Sequence, residues 1–140
     1  MTRAVLPGML AQRWGRVINI GSTAASVGAK DSPAYCASKA GLLGLTRCVA
    51  LEGAALGVTC VMISPTWVDT EMMDSILAEV VALEKLGRTV AEAKAHIAAQ
   101  NPQGRIINAE EIAALAVFLC SNAAGGITME NIQVTGGALW

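Results

Sequence analysis

The segment Gly15-Arg-Val-Ile-Asn-Ile-Gly-Ser22 decides how this sequence folds. Its centre is a short run of mostly β-branched residues between two glycines, which is typical of a buried strand rather than of an equally apolar helix. A loop rich in Gly, Ala and Ser follows, and then Ser32-Pro33 predicts the start of a helix. Serine can cap the free N–H groups there, and proline has no N–H to leave unpaired. We expect this helix to run to about Leu56 and to end at Gly57.

Alternating strands and helices continue along the rest of the chain. Short apolar runs at 58–64 and 131–134 predict two more strands. Apolar residues recur at helical spacing in four further segments, at 1–13, 71–86, 89–99 and 110–121. Gly87-Arg88 interrupts the helical pattern between two of them. We therefore predict an α/β fold, a partial doubly wound parallel sheet of about three strands with flanking helices joined by right-handed crossovers.

Composition limits the classes of function. Of the 140 residues, 54% are hydrophobic and 15% are charged, so the chain is too apolar to be disordered. Part of so apolar a surface should be covered by a partner, and we expect a homo-oligomer. Ten basic and eleven acidic side chains give a formal net charge of -1, which excludes a strong attraction to nucleic acids or anionic membranes. No apolar run approaches the roughly 20 residues that a membrane span needs.

The four cysteines favour a reducing compartment. Cys36, Cys48, Cys60 and Cys120 stand far apart and lack the paired short spacing of a zinc site, so no metal is expected. Isolated cysteines usually behave as small buried hydrophobic residues. We therefore expect a soluble, cytoplasmic protein whose cysteines stay reduced.

Three polar residues are candidates for catalysis. Ser22 ends the first predicted strand, and Lys39 follows Tyr35 by four residues, so Tyr35 and Lys39 share one face of the long helix. Ligands of open parallel sheets bind beyond the carboxyl ends of the strands, which is where Ser22, Thr66 and Gly136 would meet. A phenol is a weak acid, but a neighbouring ammonium favours the phenolate. With a serine hydroxyl bound to the same oxygen, such a phenol can exchange a proton with a carbonyl or alcohol.

The spacing of these residues resembles the active site of the short-chain dehydrogenase/reductase family. Tyr35-Cys-Ala-Ser-Lys39 is preceded thirteen residues earlier by Ser22 at the end of its strand. The resemblance continues through Ile63-Ser-Pro-Thr-Trp-Val-Asp-Thr70, which is similar to the family's Pro-Gly-x-Val-x-Thr segment. It resumes in Asn101-Pro-Gln-Gly-Arg105 and in the closing Val134-Thr-Gly-Gly137, so it covers essentially the whole chain.

The resemblance implies an oxidoreductase that transfers hydride between NAD or NADP and a small carbonyl or alcohol substrate. In such an enzyme Ser22 would orient the substrate oxygen, Tyr35 would be the acid or base, and Lys39 would also bind the nicotinamide ribose. Cofactor contacts are implied for five residues: Tyr35, Lys39, Pro65, Val68 and Thr70. The Asn-Pro-Gln-Gly-Arg ending is similar to members that act on 3-oxoacyl or 3-hydroxyacyl substrates.

The resemblance also implies that residues 1–140 form a single partial Rossmann-like domain, the C-terminal half of a family member. Residues 70–102 would be the variable insert that acts as a lid over the substrate. The Gly-rich turn that receives the cofactor pyrophosphate and the Asn of the catalytic tetrad do not occur in this sequence. We therefore expect a truncated chain with an incomplete cofactor site and little dehydrogenase activity of its own. Its first strand would be an exposed sheet edge that pairs with another chain.

Two other functions remain open from the residues alone. Ser22 could be the nucleophile of a cofactor-independent hydrolase with Tyr35 and Lys39 as the activating base, because serine and lysine together can catalyse acyl transfer. The chain could also be a non-catalytic interaction fragment in which Ser22 only caps a turn. Asn19 is interpreted as a buried strand residue and His96 as part of a polar helical face.

Overall fold

The computed structural model describes residues 1–84 and 89–138 of the chain. The break predicted at Gly87-Arg88 therefore lies outside the described residues. The helices are α1 (Thr2–Ala11), α2 (Pro33–Gly53), α3 (Glu71–Glu84), α4 (Val90–Gln100) and α5 (Ala109–Cys120). The strands are β1 (Gly15–Ile20), β2 (Val58–Pro65), β3 (Val68–Asp69), β4 (Ile107–Asn108) and β5 (Asn131–Val134). Every helix and strand predicted within the described ranges is present, with small shifts at the ends.

Three parallel strands form the main sheet, in the order β1-β2-β5. Gly15 of β1 lies opposite Val58 of β2, and Met62 of β2 lies opposite Asn131 of β5. Parallel neighbours need a crossover between them, and α2 supplies it between β1 and β2 while α3, α4 and α5 lie between β2 and β5. The predicted α/β fold of three parallel strands with flanking helices is confirmed.

The central strand β2 sends its side chains into two apolar layers. Val58 and Cys60 face the first layer, together with apolar residues of α1 and α2. Val61 and Ile63 face the second layer, which is completed by α5 and the turn that follows it. A strand that is covered on both faces has no polar side to display, which explains why its sequence is a continuous apolar run.

A second, two-stranded parallel ladder was not predicted. Val68 of β3 lies opposite Ile107 of β4, and Asp69 lies opposite Asn108. Two residues are too few to give a strand periodicity in the sequence, so only the folded chain reveals the pairing. The ladder ties the segment that follows β2 to the start of α5.

The helices α4 and α5 both begin with a capping box. The side chain of Thr89 accepts a hydrogen bond from the backbone N–H of Glu92, whose carboxylate accepts one in return at 2.7 Å. At the start of α5, the Glu111 carboxylate accepts the backbone N–H of Asn108 at 2.9 Å. The prediction that the Ser32 side chain caps α2 was wrong, because Ser32 occupies the cap position without a side-chain hydrogen bond to the helix.

Three glycines of α2 differ in what surrounds them. A Cβ built on Gly41 or Gly44 meets no atom within 4 Å, so no described residue of this chain packs against them. That their small size allows a ligand or another backbone to approach closely stays a prediction. Gly53, in the same helix, is different, because its Cβ would lie 2.8 Å from the Cβ of Val58.

Residues 1–84 and 89–138 lack two kinds of feature. None of their helices is both long and apolar enough to cross a membrane. These residues also contain no group of three or more His, Cys, Asp or Glu side chains that could hold a metal ion.

Candidate active site

Ser22 lies just beyond the carboxyl end of β1. Its Oγ accepts a hydrogen bond of 3.1 Å from the backbone N–H of Ala24, which caps the short turn Thr23–Ala25. The serine therefore does cap a turn, but a hydroxyl that accepts a hydrogen bond still has its own proton to donate. The preceding Gly21 is required by packing, since a Cβ there would lie 2.7 Å from the sulfur of Met62.

Tyr35 and Lys39 lie on one face of the first turns of α2. The Nζ of Lys39 is 5.6 Å from the centroid of the Tyr35 ring. The same ammonium donates a hydrogen bond of 3.0 Å to the carbonyl oxygen of Ile20, the last residue of β1. Lys39 thus connects the helix that carries Tyr35 to the strand that leads into Ser22, and it holds a positive charge beside the phenol ring.

A cavity of about 330 Å³, here called the inner cavity, lies at the carboxyl ends of β1 and β2. It is lined by all the residues that the sequence singled out for catalysis or cofactor contact: Ser22, Tyr35, Lys39, Pro65, Val68 and Thr70. These residues come from three separate chain segments. They meet because parallel neighbouring strands end at the same edge of the sheet.

A larger cleft of about 510 Å³, here called the outer cleft, adjoins the inner cavity. Six residues line both spaces: Ser22, Tyr35, Thr66, Trp67, Met72 and Ile76. The hydroxyl-bearing residues of the proposed chemistry therefore stand on the border between the two spaces. Such an arrangement allows one molecule on each side of Ser22 and Tyr35, which a transfer between two bound molecules requires.

An ion-pair cluster stabilises the helices beside the inner cavity. The ammonium of Lys94 in α4 lies 2.7 Å from a carboxylate oxygen of Asp69 and 2.7 Å from one of Asp74. The hydrogen bonds that Lys94 donates, to Asp69 first and to Asp74 second, raise its pKa above the usual value. Since Asp69 immediately precedes Thr70, this cluster joins α4 and α3 to the segment that borders the inner cavity.

Comparison with known proteins identifies the family. A family model described as enoyl-(acyl carrier protein) reductase matches residues 1–138. The chain belongs to the short-chain dehydrogenase/reductase family. This confirms the resemblance drawn from the sequence.

Curated relatives match along nearly the whole of this short-chain dehydrogenase/reductase chain. D-beta-hydroxybutyrate dehydrogenase of Cupriavidus necator is 38% identical over 140 residues, which are 99% of this chain and 50% of the relative. A 3-oxoacyl-(acyl-carrier-protein) reductase of Haemophilus influenzae is 36% identical over 137 residues, which are 98% of this chain and 51% of the relative. The chain thus spans about half the length of the curated relatives that it matches.

Solved structures of similar proteins share the fold. A variant of actinorhodin polyketide ketoreductase, solved with NADPH, superimposes with a TM-score of 0.90 at 33% identity, over 98% of this chain and 52% of that one. Sorbitol-6-phosphate 2-dehydrogenase of Erwinia amylovora gives a TM-score of 0.90 at 30% identity, over 99% of this chain and 54% of that one.

Behind the site, a polar cluster joins β1, α2 and β2 in this family member. The Nδ2 of Asn19 donates a 2.8 Å hydrogen bond to the hydroxyl of Thr46, which donates to the carbonyl of Leu42 at 2.8 Å. Burial raises the pKa of the neighbouring Cys60 thiol to about 11, against a smaller lowering by a hydrogen bond with Thr46. Asn19 lies in β1 as interpreted, but it is half-buried and not buried. Its hydrogen bond to Thr46 connects β1 to α2.

A second set of polar contacts supports the turn that carries Ser22, and the sequence gave no signal for it. The fully buried hydroxyl of Ser64 donates to Asn131 Oδ1 at 2.6 Å. The Nδ2 of Asn131 donates in turn to the hydroxyl of Ser26 at 3.3 Å. These contacts link β2 and β5 to the loop after Ser22, three places that are far apart in the sequence.

Asn101 connects the end of α4 to the end of the sheet. Its Nδ2 donates to the carbonyl of Thr135 at 2.9 Å, and its Oδ1 accepts the backbone N–H of Gln103 at 3.0 Å. Gly136 has a φ of +63°, and a Cβ there would lie 2.7 Å from Asn101 Oδ1. The motif 101–105 was recognised in the sequence, but its contact with the last strand was not.

Thr66 departs from the family pattern, and Met129 has an unusual backbone conformation. Thr66 stands where the family usually has Gly, and it lines both the inner cavity and the outer cleft. Met129 adopts a φ of +68°, a left-handed conformation that disfavours a side chain.

Proposed function

We propose that this chain carries the catalytic face of an NAD(P)-dependent oxidoreductase that transfers hydride between nicotinamide and a carbonyl or alcohol. The observation that carries the proposal is that Ser22 and Tyr35 line both the inner cavity and the outer cleft. Membership of a family whose matched relatives are named dehydrogenases and reductases supports it. A neighbour in fold that was solved with NADPH supports nicotinamide nucleotide use without deciding between NAD and NADP.

The residues around the inner cavity fit the nicotinamide and ribose portion of such a cofactor. Lys39 offers hydrogen-bond donors for ribose hydroxyls, Thr70 borders the same space with a hydroxyl, and Pro65 and Val68 offer an apolar surface for the ring. When bound, the cofactor supplies or accepts the hydride. The residues of this chain position the nicotinamide and ribose portion of the cofactor and transfer the proton.

Proton transfer belongs to Tyr35 in this proposal. Its phenol gives a proton to the substrate oxygen during carbonyl reduction and takes one during alcohol oxidation. The Lys39 ammonium, fixed by the Ile20 carbonyl, holds a positive charge 5.6 Å from the centroid of the phenol ring. Ser22 donates its remaining hydroxyl proton to the same substrate oxygen, which orients the carbonyl and stabilises the charge that develops on it.

Residues 70–102 act as the substrate lid in this proposal. The described part of that segment consists of α3 and α4, and Met72 and Ile76 of α3 line the outer cleft; residues 85–88 of the lid lie outside the described residues. As substrates we infer 3-oxoacyl or 3-hydroxyacyl compounds. The motif 101–105 and the name of the Haemophilus influenzae relative support this class.

The oligomeric state and the cellular location are also part of this proposal. We propose a homo-oligomer, because β1 pairs only with β2 among the described residues and leaves an apolar strand edge unpaired. A cytoplasmic location is supported by the cysteines, all of which are free.

The hydrolase alternative receives less support from the geometry. A serine nucleophile needs a base within hydrogen-bond distance. Among the hydrogen bonds of the described chain, none joins Ser22 to Tyr35 or Lys39, and the Lys39 ammonium is already bound to Ile20. Activity on a chromogenic ester that persists without nucleotide and disappears in Ser22→Ala would nevertheless establish a hydrolase.

Turnover of methyl 3-oxooctanoate with NADH or NADPH tests the proposal. We expect saturable energy transfer from tryptophan to the bound cofactor and slow oxidation of it by the substrate. Tyr35→Phe and Ser22→Ala should each lower the rate by about 100-fold or more, since positioned acids and hydrogen-bond donors contribute on that order. Ser75→Ala is the matched control, because its hydroxyl only donates to the Glu71 carbonyl on the surface of α3. Equal rates in all variants would contradict the proposal.

A further inference from the structure

The hydrogen-bonding side chains that line the outer cleft are all uncharged. They carry the hydroxyls of Ser22, Thr23, Ser32, Tyr35 and Thr66 and the indole N–H of Trp67. Hydroxyls are neutral and can bind a carbonyl or alcohol oxygen. A substrate oxygen can therefore be hydrogen-bonded in this cleft without an ionised partner.

The largest apolar side chains that line the outer cleft, here called the apolar wall, are those of Trp67, Met72 and Ile76. These side chains are accessible to a ligand, with exposed fractions of 41%, 73% and 42%. Met72 and Ile76 are four residues apart in α3, so they lie side by side on one helical face. Large apolar side chains that remain exposed at the rim of a cleft are typical of a surface that a ligand covers.

Charged side chains are absent from the lining of the outer cleft among the described residues. Lys30 and Asp31 lie between Ala29 and Ser32 in the chain, but both are exposed and neither lines the cleft. The nearby Lys39 lines the inner cavity instead, where its ammonium binds the Ile20 carbonyl.

Two further cations of the described residues are also engaged. Lys94 is paired with Asp69 and Asp74. Arg105 forms a two-point contact with the Glu111 carboxylate, with N–O distances of 2.6 Å and 2.8 Å. Among residues 1–84 and 89–138, an anionic group in the outer cleft would find no lining cation to replace the water that it loses, and this desolvation is costly.

We infer that the outer cleft selects a neutral substrate, with the reacting oxygen at Ser22 and Tyr35 and an aliphatic body against Trp67, Met72 and Ile76, and that it disfavours a free carboxylate or phosphate at that place. This inference rests on the proposed function for the direction of the substrate, and it narrows the substrate class to esters, thioesters and simple ketones or alcohols. Met72 is the specificity-determining residue, because it is the most exposed member of the apolar wall.

Binding without nucleotide tests this inference separately from hydride transfer. In a Trp14→Phe, Trp140→Phe background, Trp67 becomes the one tryptophan of the chain and reports on the cleft that it lines. The probes are methyl 3-hydroxyoctanoate and the 3-hydroxyoctanoate anion at pH 7, which differ only in charge at one end. We expect the ester to quench Trp67 fluorescence with a Kd at least about tenfold lower than that of the anion.

A positive charge introduced on the apolar wall makes the test more specific. Met72→Arg places a cation on the apolar wall, and we expect it to tighten binding of the anion by about tenfold while binding of the ester stays equal or weakens. Val117→Arg is the control, because Val117 has the same 73% exposure but lies on α5 and lines neither space. Equal or tighter binding of the anion by the parent chain would overturn the inference, as would a failure of both probes to quench Trp67. Loss of turnover with the ester preference intact would instead count against hydride transfer alone.

Discussion

At the scale of single residues, the Ile20 carbonyl gives Lys39 a structural role beside its chemical one. The ammonium joins α2 to β1 through that carbonyl and lies against the Tyr35 ring at the same time. Two of the residues proposed for catalysis are thereby fixed relative to each other before any ligand binds. Such preorganisation lowers the cost of reaching a productive geometry.

The backbone of Met129 leads to a prediction on stability. Met129 adopts a φ of +68°, and its side chain is 39% exposed. The burial of this side chain therefore offsets only a small part of the backbone strain. We expect Met129→Gly to raise the free energy of unfolding by about 0.5 to 1 kcal/mol, the relief of left-handed strain minus the added freedom of the unfolded chain. Urea denaturation measures the change.

The control for Met129 is another residue with a positive φ. Gly136→Ala should lower stability, because its Cβ would enter the space of Asn101 Oδ1 at 2.7 Å. If Met129→Gly is neutral while Gly136→Ala destabilises, the left-handed conformation at Met129 carries no strain.

Part of the site could be predicted at this scale and part could not. The sequence identified Ser22, Tyr35 and Lys39 because their spacing follows from one strand end and one helical turn. The apolar wall is different, since Trp67 precedes β3 and Met72 and Ile76 belong to α3, and their common cleft exists only in the folded chain. The support of Ser26 by Asn131 likewise joins residues 105 positions apart.

At the scale of elements, we predict that replacing glycine by alanine has opposite effects on stability at two positions of α2. Gly44→Ala should stabilise the chain by about 1 kcal/mol, because alanine favours the helix and its Cβ meets no atom within 4 Å. Gly53→Ala should destabilise it, because the added Cβ would lie 2.8 Å from Val58 Cβ. Thermal denaturation of both variants measures the pair. A loss of stability in Gly44→Ala would show that another surface packs against that face.

The start of α5 predicts how stability depends on pH. Hydrogen bonds from Arg105 first and from the Asn108 N–H second lower the pKa of Glu111 from 4.5 to about 2. A group whose pKa is lowered by folding stabilises the folded state above its unfolded pKa, and this contribution disappears as pH falls towards its folded pKa. We therefore expect the urea midpoint to fall between about pH 4.5 and pH 2, and to fall less steeply in Glu111→Gln.

The neighbouring Glu110 provides the control for this pH dependence. Glu110 is exposed in the first turn of the same helix. Glu110→Gln should leave the slope of stability against pH close to that of the parent chain. Identical slopes for the parent and Glu111→Gln would show that the contact with Arg105 does not stabilise the fold.

Sequence patterns predicted long elements well and short ones poorly. The central strand and the capped starts of α4 and α5 follow from local chemistry, so they were found. The β3–β4 ladder contributes two residues per strand and has no local pattern, although it fixes the segment next to Thr70. The tight turns of this fold depend on what packs against them, as at Gly21 and Gly136.

At the scale of the whole molecule, the unpaired edge of β1 predicts that copies of this chain associate. β1 pairs with β2 on one side only among the described strands, and Ile20 at its end is 50% exposed. Unpaired strand edges with apolar side chains tend to pair with another chain. We expect sedimentation to detect a dimer or larger species at micromolar concentration, and Ile18→Pro on the edge strand to weaken it; a monodisperse monomer would contradict this prediction.

The central claim is that Ser22, Tyr35 and Lys39 form one site for hydride transfer between two adjoining spaces. Single-turnover reduction of methyl 3-oxooctanoate, with chain in excess and NADH or NADPH dideuterated at nicotinamide C4, tests it most directly by mass spectrometry of the product. The account predicts a 3-hydroxy ester with one deuterium on C3 from the parent chain and none from Tyr35→Phe. Product without deuterium, or equal deuterium from Tyr35→Phe, would contradict it.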